Sequence, residues 1–274
     1  MSEGTRQYED RRQAERRSRD RRSRKEPGPP LIVFEDVWKA FGPVKIYEGL
    51  NLTIRKGETI TIVGGSGTGK SVLLKCLLRL LTVDRGNITA FGEQVTGRSE
   101  REMLPIRRRI GMLFQGAALF DSLNTFENVA YPLRQHKWGT DAEIRERVGW
   151  CLEQVNMPGI EHKWPSELSG GMKKRVGLAR AIAMEPEVIL YDEPTTGLDP
   201  TNVRKIDALI LALQERLQVT SVVVTHDMDS AFRVSDRIAM LWQRRIDWVG
   251  YTDEVWEAEN PIVRNFVNGE ISWE

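Results

Sequence analysis

Cysteine is scarce in this chain: Cys76 and Cys151 are the two in 274 residues, and they have no metal-ligand spacing. This argues against a disulfide framework. Cys76 falls within an apolar helical stretch, and both residues read as buried thiols in a reducing compartment. Long hydrophobic runs are also missing, and none reaches the ~18 residues that a membrane span needs. No signal peptide is visible, and there is no internal repeat. The net charge is only +1, so charge balance demands neither a nucleic-acid nor a membrane partner. The chain is expected to be soluble and cytoplasmic.

What is there is globular composition, 40% hydrophobic and 29% charged. The length allows one large α/β domain or two small ones. Charge is distributed unevenly. Residues 1–30 hold nine Arg and one Lys against six Asp or Glu, a net of +4, which leaves −3 for the remainder. This Arg-rich tail has almost no apolar residues and ends in PGPP, so it is expected to be disordered. A solvated arm is the reading favoured by its interleaved acids; contact with anionic lipid headgroups or nucleic acid is the sharper alternative.

The folded part is expected from Leu31. LIVFEDVWKAF reads as a strand, and NLTIRKGETITIVGG as two more with a turn at Lys56-Gly57. SVLLKCLLRLL, interrupted only by Lys75 and Arg79, predicts a helix buried on most faces. Residues 86–97 read as a hairpin, and RRRIGMLFQ (107–115) leads through a strand to Gln115. Apolar spacing is helical from there to about 184. VILYDEP (188–194) and SVVVTHD (221–227) are buried strands on either side of an amphipathic helix, KIDALILALQERL. Continuous apolar strands alternating with helices predict a parallel sheet covered on both faces.

GGSGTGKS, 64–71, fits the phosphate-cradle pattern G-x-x-x-x-G-K-[ST]. Gly64, Gly65, Ser66, Gly67, Thr68 and Gly69 let the backbone wrap around phosphates with its N–H groups aimed inward. Lys70 supplies a point charge for the β- and γ-phosphates, and the Ser71 hydroxyl can ligate Mg²⁺. A chance match in a chain this long is roughly one in a hundred, and the strand before and helix after lower that further. VILYDEP delivers Asp192 and Glu193 to a strand's C-terminal end, where open α/β sheets bind ligands. Asp192 can hold Mg²⁺ through water, and Glu193 can take a proton from an attacking water. His226 ends SVVVTHD in the same way and can meet a γ-phosphate. Gln115 can meet Mg²⁺ or the attacking water. A second anion-binding pattern, ELSGGMKKRVGLARAIA (167–183), opens with a Ser and two glycines at a helix start.

Together these residues resemble the ATP-binding subunits of ABC transporters over roughly 31–250. LSGGM, 168–172, resembles that family's signature. The order also matches: cradle, Gln115, signature, Asp192-Glu193, Gly197-Leu198-Asp199, His226. The resemblance implies a P-loop α/β fold with a mostly parallel central sheet, an antiparallel β subdomain and a helical subdomain at about 116–184. It implies ATP and Mg²⁺ as ligands, with Phe41 stacking on adenine. It also implies a head-to-tail pair in which Ser169, Gly170, Gly171 and Asp199 of one subunit serve the ATP held by the other's cradle. A second copy of the chain, as a homodimer, is the simplest closure. Met172 stands where the family most often has Gln; with Val176, Ala179 and Ala183 it shares a helical face on which it can simply pack.

Because no membrane span is present, the resemblance also implies a separate permease subunit that holds the chain to the inner face of the cell membrane. In the family, the region of 116–135 grips a coupling helix of that permease, although its Phe and Leu residues also suit a local core. The runs LFQGAALFDSLNTFENVAYPLR and ELSGGMKKRVGLARAIA resemble the ATPases of Mla/Mce-type lipid transporters, which work with Mce-domain lipid-binding proteins. An importer of small polar solutes is the alternative among transporters. A non-transport ABC ATPase acting on ribosomes or DNA is the alternative of another class, hinted at only by the tail, and no direct nucleic-acid contact is expected. The extension 251–274, amphipathic in part, either braces the dimer or caps the domain.

Overall fold

The computed structural model describes residues 28–267. The Arg-rich tail up to residue 27 and the end of the C-terminal extension, 268–274, lie outside the described residues.

Two sheets organise the chain. The first is antiparallel, in the order β2-β1-β4-β5, from β1 (Pro30–Phe41), β2 (Val44–Arg55), β4 (Arg85–Ala90) and β5 (Glu93–Gln94). Ile32 of β1 faces Ile54 of β2 on one side and Ala90 of β4 on the other. Gly86 permits the close approach of β4 to β1: its φ is +90°, and a Cβ there would lie 2.1 Å from the Asp36 carbonyl oxygen.

The second sheet has six strands in the order β10-β9-β3-β8-β7-β6. These are β3 (Thr59–Val63), β6 (Ile110–Leu113), β7 (Val188–Asp192), β8 (Thr220–Thr225), β9 (Arg237–Trp242) and β10 (Arg245–Tyr251). All pairings are parallel except β9 with β10. Every residue of β3, β6, β7 and β8 is buried, as the continuous apolar runs require.

Helices cover both faces. They are α1 (Lys70–Leu77), α2 (Glu100–Arg108), α3 (Thr125–Gln135), α4 (Asp141–Gln154), α5 (Gly170–Ile182), α6 (Pro200–Leu217), α7 (Met228–Val234) and α8 (Pro261–Val267). Strand alternation divides the interior in two. Val188 and Leu190 of β7 join a core with Leu73, Leu74 and Leu77 of α1 and the antiparallel sheet. Ile189 and Tyr191 of the same strand join a core with α3, α4, α5 and α6. Thus α1 and α5, the helices that follow the two anion-binding patterns, lie on opposite faces of the six-stranded sheet. Ser99 and Thr140 start α2 and α4 with reciprocal capping boxes closed by Glu102 and Glu143.

Three local readings change. The apolar run after the cradle is helical only to Leu77: Arg79 turns left-handed, at φ +51°, and Leu80 is 54% exposed. The N–H groups of Leu80 and Leu81 both donate to the Lys75 carbonyl, while Arg107 donates to the Leu78 and Arg79 carbonyls. The helix end is therefore satisfied from another element, which apolar spacing cannot reveal. Arg107 and Arg108 belong to the last turn of α2, and the strand starts only at Ile110. The β9–β10 hairpin is an addition. It turns on Gln243 and Arg244, both at positive φ, without the Asn or Gly that usually marks such a turn.

Candidate functional site

The cradle, 64–69, runs from the buried end of β3 into α1. Gly67 and Gly69 take φ of +78° and +107°, and Ser66 and Gly67 form the exposed tip. A Cβ on Gly64 would lie 2.8 Å from the Leu241 carbonyl oxygen, and one on Gly69 would lie 2.6 Å from Ile46 Cγ2. Tyr47, buried in β2, donates its hydroxyl to the Gly69 carbonyl at 2.5 Å. The Thr68 hydroxyl donates to the Gly65 carbonyl at 2.9 Å. The antiparallel sheet therefore helps to shape the loop, and Phe41, paired with Val44 at that sheet's end, is 45% exposed. Lys70 Nζ lies along the inside of the loop and donates to the Gly64 and Gly65 carbonyls at 2.8 Å each.

On one side of β3, the neighbouring strand β8 brings the histidine and β7 beyond it brings the acids. Asp192, at the end of β7, accepts a 2.6 Å hydrogen bond from Ser71 Oγ. Burial raises the Asp192 carboxyl above the usual carboxylate range, the Ser71 bond opposes that, and the charge of Glu193 adds to it. Burial also lowers the Lys70 ammonium from its ordinary value, against the pull of Glu193 and then Asp192. Glu193 is buried, with Oε1 3.7 Å from Lys70 Nζ. Its Oε2 accepts from Thr196 Oγ1 at 2.9 Å and lies 2.9 Å from Nδ1 of His226, the residue just beyond β8. Gln115, two residues past β6, is exposed. The structure thus gathers Lys70, Ser71, Asp192, Glu193 and His226 into one contact network, and leaves Phe41 and Gln115 outside it.

Chemically, this network offers a cation and backbone N–H groups for phosphate, and a buried carboxylate beside a half-exposed imidazole. Ser71 and Asp192 supply hard oxygen donors side by side, which suits Mg²⁺. Among the described residues no group of three or more His, Cys, Asp or Glu could hold a metal.

The second anion pattern stands apart. Ser169 caps α5, its hydroxyl accepting from the Met172 N–H at 3.3 Å. Ser169 and Gly170 are exposed. Beside them, Asp199 caps α6 and accepts from the N–H groups of Thr201 and Asn202 and from Asn202 Nδ2. Gly170 faces Leu198 and Gly171 faces Asn202, so the two helix starts share one surface. Among the described residues no hydrogen bond joins 169–171 to the cradle. Met172 packs partly buried against the α3–α6 core.

Tyr47, Lys174, Thr196 and Asn202 join these two surfaces without having been anticipated. Tyr47 and Thr196 carry no sequence signal. Lys174 does: it heads a helical stripe with Leu178 and Ala181, both buried, so it is a charge on a buried face.

Residues 47–196 match the ABC transporter family model. The chain is 42% identical over 231 residues to the probable ribonucleotide transport ATP-binding protein mkl of Mycobacterium tuberculosis, covering 84% of this chain but only 64% of that relative. It is 40% identical over 225 residues to the intermembrane phospholipid transport system ATP-binding protein MlaF of Haemophilus influenzae, covering 82% and 85% of the two chains. Among solved structures, the dimeric post-hydrolysis state of the ATP-binding cassette MJ0796, bound to ADP and Pi, is similar at 33% identity with a TM-score of 0.75, over 81% of this chain and 99% of that one. With the cradle, the acids, the histidine and the separate signature surface in place, this chain belongs to the ABC transporter family.

Proposed function

We propose that this chain binds Mg²⁺-ATP and hydrolyses it as one of two cassettes that drive a lipid-moving membrane permease. The observation that carries the proposal is the convergence of Lys70, Ser71, Asp192, Glu193 and His226 from the adjacent strands β3, β8 and β7. In this reading residues 64–71 wrap the phosphates, Lys70 neutralises their charge, and Phe41 stacks on adenine. Ser71, Asp192 and Gln115 hold Mg²⁺, which when bound supplies Lewis-acid charge neutralisation on the phosphate oxygens. Glu193 takes the proton of the attacking water, and His226 contacts the γ-phosphate. Ser169, Gly170, Gly171 and Asp199 serve the partner's nucleotide. Residues 31–250 form the ATPase unit, with the helical part at about 116–184.

A groove of about 450 Å³ lies between β6, α2, α3 and α5. Met112, Phe114, Phe120 and Tyr131 give it an apolar lining, with Arg108 and Arg180 among its walls. We assign it to the cytoplasmic helix of a permease, which would hold the chain peripherally at the inner membrane; among the described residues no helix is long and apolar enough to cross one. Lipid as cargo, with Mce-domain partners, is supported by the motif wording and by the phospholipid-transport relative. The mycobacterial relative's name favours a polar nucleotide cargo instead. Isolation from membranes in mild detergent separates the two: a permease with Mce-domain proteins supports lipid, and a soluble solute-binding protein opposes it.

The chemistry is tested by Glu193→Gln. Phosphate release should fall by about 10²–10⁴-fold while ATP binding persists. Hydrolysis at the normal rate removes Glu193 from the base role.

A further inference from the structure

Lys174 is the fifth residue of α5, the helix that opens with the signature, and its side chain is buried. Its Nζ reaches across to the turn after β7 and donates to two main-chain carbonyls, that of Glu193 at 3.0 Å and that of Thr196 at 2.9 Å. Burial pushes the Lys174 ammonium down to about 8, but an uncharged amine still has two N–H donors for these two acceptors.

The turn it grips is unusual. Glu193 adopts φ +49°, a conformation that side-chain-bearing residues rarely keep without support. Its N–H donates to the Val224 carbonyl, and Thr196 Oγ1 holds its carboxylate. Lys174 supplies the contact from the helical face of the sheet. The turn then continues through Gly197, at φ +78°, to Asp199 on the signature surface.

We propose that Lys174 is a positioning residue that links the signature helix to the main chain of Glu193, so that the placement of a subunit's own general base depends on what its signature engages. The proposal rests on the reading of Glu193 as base. Phosphate docking at Ser169 to Gly171 bears on α5, α5 carries Lys174, and Lys174 fixes the carbonyls at positions 193 and 196. Each subunit thereby transmits the state of the partner's nucleotide to its own catalytic carboxylate.

The test uses Lys174→Met, which keeps length and removes the donors, Lys174→Arg, which keeps donors, and Glu193→Gln, all in the full chain. Misplacement of a reacting group by about 1 Å can cost 10²-fold. Lys174→Met should therefore lower kcat by about 10–100-fold with ATP affinity within about twofold of wild type. Lys174→Arg should recover the rate to within about fivefold of wild type. The Lys174→Met/Glu193→Gln pair should be no slower than Glu193→Gln alone, because both act through one group. A wild-type kcat in Lys174→Met beside a slow Glu193→Gln overturns this link and leaves the base intact. A parallel loss of ATP affinity and kcat also overturns it. A wild-type rate in Glu193→Gln sinks both readings. If Lys174→Met does not fold, Lys174→Arg decides: a loss above about tenfold at unchanged ATP affinity counts against the link.

Discussion

At the scale of single residues, Glu193 shows how magnitudes balance. A non-glycine residue in the left-handed region costs about 1–2 kcal/mol. The hydrogen bonds made by its N–H and carbonyl are each worth about 1 kcal/mol net, enough to hold it there. Tyr47 is a comparable support for the cradle. Burial raises its phenol well above the ordinary value, so it remains a donor to Gly69. Tyr47→Phe leaves that carbonyl without its partner, and a loss of about 1–2 kcal/mol should weaken ATP binding by roughly tenfold in a titration with a fluorescent analogue. An unchanged affinity would mean the loop holds its shape unaided. The cysteines allow a simpler check. Burial pushes the Cys76 thiol up to about 11 and Cys151 up to about 12. At pH 8 the thiolate fraction is therefore on the order of one in a thousand or less. Neither should react with a disulfide reagent within minutes in the folded protein, and both should react in denaturant; rapid labelling of either in the native state contradicts this burial.

At the scale of elements, the strand ends position the chemistry and the short helices keep it there. The helix α7 has only seven residues, too few to be stable alone, yet its cap, Asp227, directly follows His226. Asp207 of α6 ties it down, accepting from Ser230 Oγ at 2.9 and 3.1 Å and from Arg233 Nε at 2.7 Å. Asp207 is buried, but Arg233 is 40% exposed, so Asp207→Ala should cost about 2 kcal/mol rather than the full penalty of a buried pair. Urea unfolding measures this, and a change under about 0.5 kcal/mol would show that packing alone holds α7.

The same elements show what the sequence made legible. β3, β7 and β8 could be read because a strand buried on both faces must be apolar throughout, and the cradle because phosphate binding restricts residue type at almost every position. The early end of α1 was hidden because Arg107, nearly thirty residues away, satisfies its carbonyls. The β9–β10 turn was hidden because Gln243 and Arg244 carry no turn chemistry. Tyr47 and Thr196 look like ordinary strand and loop residues, since their importance lies in what folding brings beside them. Lys174 was legible only as a lone charge on a buried helical stripe.

At the scale of the whole molecule, the partition of the interior matters most. The cradle helix α1 belongs to one core and the signature helix α5 to the other, with the six-stranded sheet between them. Ser169 and Gly170 present an exposed helix start whose N–H groups and dipole suit an anion. In the proposed pair, a second copy brings its cradle to that surface. Ser169→Arg should therefore spare ATP binding and abolish turnover, because it blocks the surface offered to the partner and leaves the chain's own cradle intact. Complementation tests the composite site most directly. Co-expressed Ser169→Arg and Glu193→Gln chains form mixed pairs in which one site combines an intact cradle and Glu193 from the first chain with an intact signature from the second. The purified mixed pair should hydrolyse ATP faster than either parent homodimer, yet well below half the wild-type rate, because the first chain's own signature is blocked and no longer supports its Glu193 through Lys174. A mixed pair as inactive as its parents, or a Ser169→Arg homodimer at the wild-type rate, would contradict a nucleotide site shared between two chains.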